Sequence, residues 1–255
     1  PESREWFQGT ADAVRQSLKH IRNTDFDYVL ILSGDQLYQM DFADIIDNHI
    51  HQKADLTIAT IPVGEREAPE FGILKTNETK VITSFIEKPA KEILPQWESD
   101  TGPEMQTQGR NYLASMGIYV FNRSLLFDEL QNEYKEAKDF GKEIIPQSIH
   151  KHKVISYQYD GYWTDIGNIY SFFEANLALT QDIPPFNLFD NNKMVYSRAR
   201  MLPPAKISGS NLNNTLLAEG SIIKAEKISN SVIGIRSRIG TGTIIEGCYL
   251  MGSDF

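Results

Sequence analysis

YVLILSGDQLY, residues 28–38, is the most apolar run in the chain, and it closes on an acid, Asp35. Continuous Val, Ile and Leu predict a strand buried on both faces of a parallel sheet, and ligands of open α/β sheets sit just beyond the carboxyl ends of such strands. The small pair Ser33 and Gly34 leaves room for another group to approach the backbone, and an acid there is costly to bury unpaired. Two readings of Asp35 follow: it holds a cation, or it caps the turn or helix that comes next.

Outward from this strand, helical and strand patterns alternate, as in an α/β protein. Val14, Leu18 and Ile21 share one face of a helix predicted over 11–22. Asp41 is placed to cap a second helix whose apolar face is Phe42, Ile45, Ile46 and Ile50. Strands are predicted over 55–63, 71–76, 81–89, 113–121 and 154–163. A polar, mobile loop is expected over 90–110, a helix over 124–137, and a last helix with Ile169, Phe172, Phe173 and Leu177 on one stripe.

After Thr180 the texture changes. Prolines at 184, 185, 203 and 204 mark a linker, and then Ile233, Ile239, Ile245 and Met251 recur at steps of six, the first three followed by Gly234, Gly240 and Glu246. Leu217, Ile223 and Ile228 fit the step less regularly. Such spacing predicts a hexapeptide β-helix, with an ordinary antiparallel end domain as the alternative. The division expected is 1–182, a linker over 183–205, and a β-helix over 206–255. The GTGT run at 240–243 falls inside this repeat, where glycines serve coil corners. With no initiator methionine and few coils, a segment is expected to be missing at each end.

Composition narrows the function. Of 255 residues, 41% are hydrophobic, enough for a sizeable core, and 34 acidic residues against 25 basic give a net charge of −9, which argues against a nucleic-acid surface. No apolar stretch is long enough to cross a bilayer, and the start has no signal-peptide pattern. Cys248 is the sole cysteine, which excludes an internal disulfide framework and a cysteine-rich zinc site and accords with a reducing cytoplasm.

Three further segments place polar groups at strand or helix ends. In FIEKP, Glu87 and Lys88 close an apolar strand that Pro89 stops; Lys88 reaches a phosphate, or the pair is a solvated edge. In YDGYWTDIGN, Asp165 is a second metal carboxylate or a helix-entry residue. In WFQGTADAV, Gly9 and Thr10 precede a helix whose N–H groups could receive a base or phosphate, or Thr10 and Asp12 simply cap it. Asp35, Lys88 and Asp165 together would supply what nucleotidyl transfer requires: two carboxylates for magnesium and a cation for an anionic acceptor. His49, His51, His150 and His152 do not make a metal set, and DFG at 139–141 lacks the other kinase motifs.

Taken in order, WFQGTADAV, SGDQLYQMD, FGILK, FIEKP, LASMGIYVF, DFGKEIIP and DGYWTDIGNIYSFFEANLAL resemble the glucose-1-phosphate adenylyltransferases, over nearly the whole chain including PPFNLFD at 184–190. The resemblance implies an α/β fold: a doubly wound, Rossmann-like nucleotidyltransferase domain with a mixed sheet, followed by the start of a left-handed β-helix. It implies ATP and glucose 1-phosphate as substrates, ADP-glucose and pyrophosphate as products, Mg2+ as cofactor, and a homotetramer or heterotetramer under an allosteric metabolite. It places the protein in the cytoplasm, or in a plastid if the source is a plant.

Carried over by position, the resemblance makes Asp35 catalytic and, with Asp165, metal-binding. Glu87 and Lys88 would hold the glucose hydroxyls and the sugar phosphate, Gly72 and Ser115 would contact the sugar, and Gly9 and Thr10 the adenine nucleotide. Phe7 stands where many bacterial members have a tyrosine, and cannot donate its hydrogen bond. The glycine-rich loop with Arg and Lys that cradles the triphosphate in such proteins is not in this sequence, so the chain as it stands is expected to be inactive. Two other readings remain: a non-catalytic regulatory subunit of the same assembly, or a nucleotidyltransferase using another NTP.

Overall fold

A computed structural model describes residues 6–254; residues 1–5 and Phe255, the outer ends of the first and last expected domains, lie outside the described residues. Contacts divide the chain into two compact units, residues 6–34 with Met40–Asp160, and Asp35–Gln39 with 161–254.

The first unit contains, in order, α1 (Thr10–Ile21), β1 (Tyr28–Ile31) and, after β2 (Gln36–Tyr38) of the other unit, α2 (Phe42–His51), β3 (Leu56–Val63), β4 (Gly72–Thr76) and β5 (Ile82–Glu87). There follow α3 (Pro103–Thr107), β6 (Tyr112–Asn122), α4 (Arg123–Asp128), α5 (Ile145–Lys151) and β7 (Val154–Gln158). Its sheet runs β5-β4-β6-β3-β7, with β1 also paired to β6. It is mixed: β3 and β7 are parallel, while β1, β3 and β4 run antiparallel to β6, as β4 does to β5. Leu18, Phe121, Leu126, Phe140 and Val154 are among the residues of its core, each large apolar side chain contributing about 1.5–3 kcal/mol by leaving water.

The parallel, fully buried strand expected over 28–38 is not formed. β1 ends at Ile31, is half-buried and runs antiparallel to β6, because Ser33 and Gly34 leave the ladder and the chain restarts as β2. The strand buried along all eight residues is β3. Its threonines hide that burial from a hydropathy pattern, yet their hydroxyls are satisfied: Thr57 bonds His49 Nδ1 at 2.7 Å and Thr60 bonds Ser156 at 2.8 Å.

Other expectations change in their bounds: the strand expected over 154–163 ends at Gln158, before the exposed Asp160 and Gly161, and Trp163 opens a separate short strand of the other unit. Asp41 caps α2, accepting from the Ala43 N–H at 2.9 Å, but His49 and not Ile50 faces inward beside Ile45, since positions four apart share a helical face. The helix expected over 124–137 is α4 continued by a π-turn at Glu129–Glu133, and ends there. Within 90–110 the chain forms a 3-10 segment, Lys91–Trp97, and α3.

The second unit contains β2, β8 (Trp163–Asp165), α6 (Ile169–Ala178), and then β9 (Lys206–Ile207), β10 (Asn211–Leu217), β11 (Ile222–Ile223), β12 (Lys227–Ile233), β13 (Arg238–Ile239), β14 (Ile244–Glu246) and β15 (Tyr249–Leu250). Strands β9 to β15 stack in parallel as a solenoid. Leu212 lies over Ile228 and Ile228 over Ile245, a coil of sixteen to seventeen residues. Ile223, Ile228, Ile233, Ile239 and Ile245 fill its interior. The step of six fails at its last member: Leu250 pairs with Ile233 while Met251 is exposed, because Gly247, at φ 57°, turns the coil one residue early. On α6, capped by Asn168 through the Ser171 N–H, Ile169 is exposed and does not join the stripe. Phe172 of that helix meets Tyr249 edge to face at 5.2 Å.

Candidate active site

In the first unit, Glu87 ends β5 opposite Gly72 of β4. A Cβ added at Gly72 would lie 2.9 Å from Glu87 Oε2, and one added at Gly141 would lie at the same distance, so both glycines make room for this carboxylate. Burial pushes the Glu87 carboxyl above the usual range; Asp139 adds to the rise, while Lys88 and Lys142 pull it back. Lys88 follows outside the strand with φ 48°, a left-handed conformation held as its N–H donates to the Phe71 carbonyl at 3.0 Å. Strand alternation therefore stops at Glu87, and Lys88 is exposed with Pro89 buried behind it.

Ser115 belongs to the same cluster because β6 bulges. Ile58 of β3 opposes Tyr119 and Thr60 opposes Ser115, so two residues of β3 span four of β6, and Gly117, at φ 69°, absorbs the excess. The Gly117 N–H reaches Ser115 Oγ at 3.4 Å. Burial pushes the Tyr119 hydroxyl up to about 12, against a downward pull from its hydrogen bond with Ser115, and Glu87 and Asp139 add to the rise. The structure thus gathers Gly72, Glu87, Lys88 and Ser115 and adds Tyr119, Asp139 and Gly141, which the sequence pattern did not single out. The signal for two of them lay in the DFG stretch at 139–141, whose glycine has its reason in Glu87.

Gly9 and Thr10 sit at the start of α1 in this unit. A side chain at Gly9 would collide with the Lys138 carbonyl oxygen. That oxygen accepts from the N–H groups of Ala11 and Asp12 at 2.9 and 3.3 Å, while Thr10 Oγ1 accepts from the Phe140 N–H at 3.1 Å. Two of the helix's leading N–H groups are thereby engaged by the 138–140 segment. Asp12 accepts from the Gln8 N–H, which holds its carboxyl below the usual range.

The second unit carries the two aspartates. β2 and β8 form a short antiparallel ribbon in which Gln36 pairs with Asp165, the Ile166 N–H donates to the Asp35 carbonyl at 2.9 Å, and Trp163 Nε1 donates to Gln36 Oε1 at 3.1 Å. Both carboxylates turn toward Gly167. A Cβ built there lies 3.0 Å from Asp165 Oδ1 and 3.2 Å from Asp35 Oδ2, so the two oxygens are no farther apart than the sum of those distances. The Gly167 N–H donates to Asp165 Oδ1 at 2.8 Å and fixes that side chain. Helix entry is the work of Asn168. Two oxygen-donor acids over a glycine suit a hard divalent cation whose coordination is completed by phosphate and water. Among the described residues no group of three or more His, Cys, Asp or Glu is gathered, so a two-carboxylate arrangement is what these residues offer.

A mixed-sheet α/β unit, a parallel solenoid and an aspartate pair on its own ribbon define the fold class, and any function lives in the sites such a fold carries. The family model for nucleotidyl transferases matches residues 1–182, and the GLGC left-handed parallel beta-helix domain matches residues 200–255. The chain belongs to the nucleotidyl transferase family, and its solenoid is left-handed.

Proposed function

We propose that the intact protein transfers AMP from ATP to α-D-glucose 1-phosphate, giving ADP-glucose and pyrophosphate for glycogen or starch synthesis. The observation that carries this reading is the turning of Asp35 and Asp165 toward one point over Gly167. The beta-helix domain shared with GLGC supports the choice of ADP-glucose chemistry within the family.

Asp35 and Asp165 would hold magnesium, which when bound neutralises charge on the transferring group and on the leaving pyrophosphate. A sugar-phosphate oxygen forms the new bond to the α-phosphorus as the bond to the β-phosphate oxygen breaks in line. The acceptor is already an anion, so no general base and no covalent enzyme intermediate is required. Lys88 meets the sugar phosphate as a point charge. Glu87 accepts hydrogen bonds from glucose hydroxyls, Ser115 and the Gly72 backbone complete the sugar contacts, and Gly9 and Thr10 contact the adenine nucleotide. In this reading the protein works as a homotetramer or heterotetramer under an allosteric metabolite, in the cytoplasm or a plastid.

The test is pyrophosphate release by the full-length protein with glucose 1-phosphate and each of ATP, UTP, GTP and dTTP. Release with ATP well above the others is expected. Preference for another NTP would replace adenylyl transfer by a sister reaction, and tight binding of substrates with no release would point to a regulatory subunit.

A further inference from the structure

Glu129 is buried in the first unit at the π-turn that follows α4, far from any role in the proposed chemistry. Its Oε1 faces Ser148 Oγ of α5, and its Oε2 has no hydrogen-bond partner. Ser148 Oγ also lies 3.0 Å from the Ile144 carbonyl, an oxygen that can only accept. A serine has one proton and so cannot donate to both. Both contacts of Ser148 Oγ are satisfied if the carboxyl itself carries a proton on Oε1 and donates to Ser148 Oγ, which in turn donates to Ile144.

We propose that Glu129 is held as a neutral carboxylic acid, and that through Ser148 it is a positioning residue for the wall of the Glu87 site. The sequence between them, 130–147, forms a loop whose neck this contact closes. That loop carries Asp139, which bears on Glu87, and Gly141, on which the Glu87 carboxylate rests. It also carries Lys138, whose carbonyl receives the start of α1. Ile144 ends the π-turn Phe140–Ile144 that contains Gly141. When Glu129 ionises, the Ser148 proton is drawn to the carboxylate, Ile144 loses its bond from Ser148, and Oε2 becomes a buried charge without a partner. The wall therefore loosens as pH rises.

The charges around Glu129 accord with this. Burial pushes its carboxyl up to about 7; the Ser148 hydroxyl and Lys151 of α5 pull it down, while Glu133 and Asp128 push it up. From α1, Arg15 donates to the carbonyls of Leu130, Tyr134 and Ala137 and pairs with Asp12 at 3.2 Å, so its donors are engaged by the backbone of the same loop and by its own helix. Because the folded value lies above the ordinary 4.5, the stabilising contribution is complete at acid pH and is lost as pH rises toward about 7.

Hydrogen exchange of the amides of Phe140 and Lys142, corrected for intrinsic rates, tests the neck without reference to any substrate. Between pH 5 and pH 7 their protection is expected to fall by at least about tenfold, because the opened state ionises from the ordinary 4.5 upward while the closed state does so only near about 7, and to level off above that. In Glu129→Gln, whose amide keeps a donor but cannot ionise, it should stay level. An equal fall in the variant overturns the proposal. If that variant does not fold, Glu129→Met serves, since it likewise cannot ionise: its protection should stay level over the same range, and a fall like that of the natural protein overturns the proposal equally. The link to catalysis rests on the sugar-phosphate reading of the Glu87 site. The KM for glucose 1-phosphate should rise above pH 7 in the natural protein and less in Glu129→Gln, with kcat little affected. Absence of any turnover would fail the functional reading and leave the exchange result to decide Glu129.

Discussion

The two sets of acids in this molecule are held in opposite ways. Glu87 is half-buried, cradled by two glycines and ringed by Asp139, Tyr119 and two lysines, and its carboxyl is raised by that burial. Asp35 is exposed and Asp165 half-buried on a two-stranded ribbon, both turned to one glycine. In the proposed function, a carboxylate selecting hydroxyl groups gains from a shaped, partly desolvated wall, whereas acids sharing a hydrated cation need access and convergence. The first arrangement is therefore sensitive to shape, and the second to charge.

Four perturbations sharpen that contrast. Asp35→Asn removes a charge from the ribbon without changing its size, and should lower kcat by at least about 100-fold with little change in binding of glucose 1-phosphate. Near-normal turnover would take Asp35 out of the mechanism. Lys88→Ala should raise the KM for glucose 1-phosphate by roughly 10–100-fold while that for ATP moves far less, and equal changes for both substrates would count against its role. Gly141→Ala adds only a methyl group, but against Glu87 Oε2 at 2.9 Å; a stability loss of about 1–3 kcal/mol and a weaker sugar-phosphate KM are expected. A denaturation midpoint unchanged from the natural protein would mean that the wall is soft. Gly240→Ala is the counterpart in the solenoid, where nothing lies within 4 Å of the added carbon, and its unfolding free energy should change by under about 0.5 kcal/mol.

Ser-Gly before Asp35 and Ile-Gly after Asp165 marked both as strand-end acids but left a capping or helix-entry role open for each; their convergence on Gly167 is what the structure adds. The Glu87 site was only half legible. Glu87 and Lys88 stand at a strand end, but Tyr119, Asp139 and Gly141 reach them through a β-bulge and a π-turn, and neither device has a hydropathy period. Strand direction was invisible for a similar reason. Residues 28–31 are apolar enough for a buried parallel strand, yet they pair antiparallel with β6, a long-range choice made by topology. The solenoid announced itself through Ile233, Ile239 and Ile245, and only the placement of Met251 failed, where a glycine corner shortens the coil. Asp41 as a helix cap was readable because capping is local chemistry.

The central claim is that Asp35 and Asp165 serve one ion. A double-mutant cycle on kcat of the full-length protein, with Asp35→Asn, Asp165→Asn and the pair combined, tests it most directly. If one ion depends on both, the combined variant should be little worse than the poorer single one. Losses that multiply, each acid acting on its own, would contradict the account.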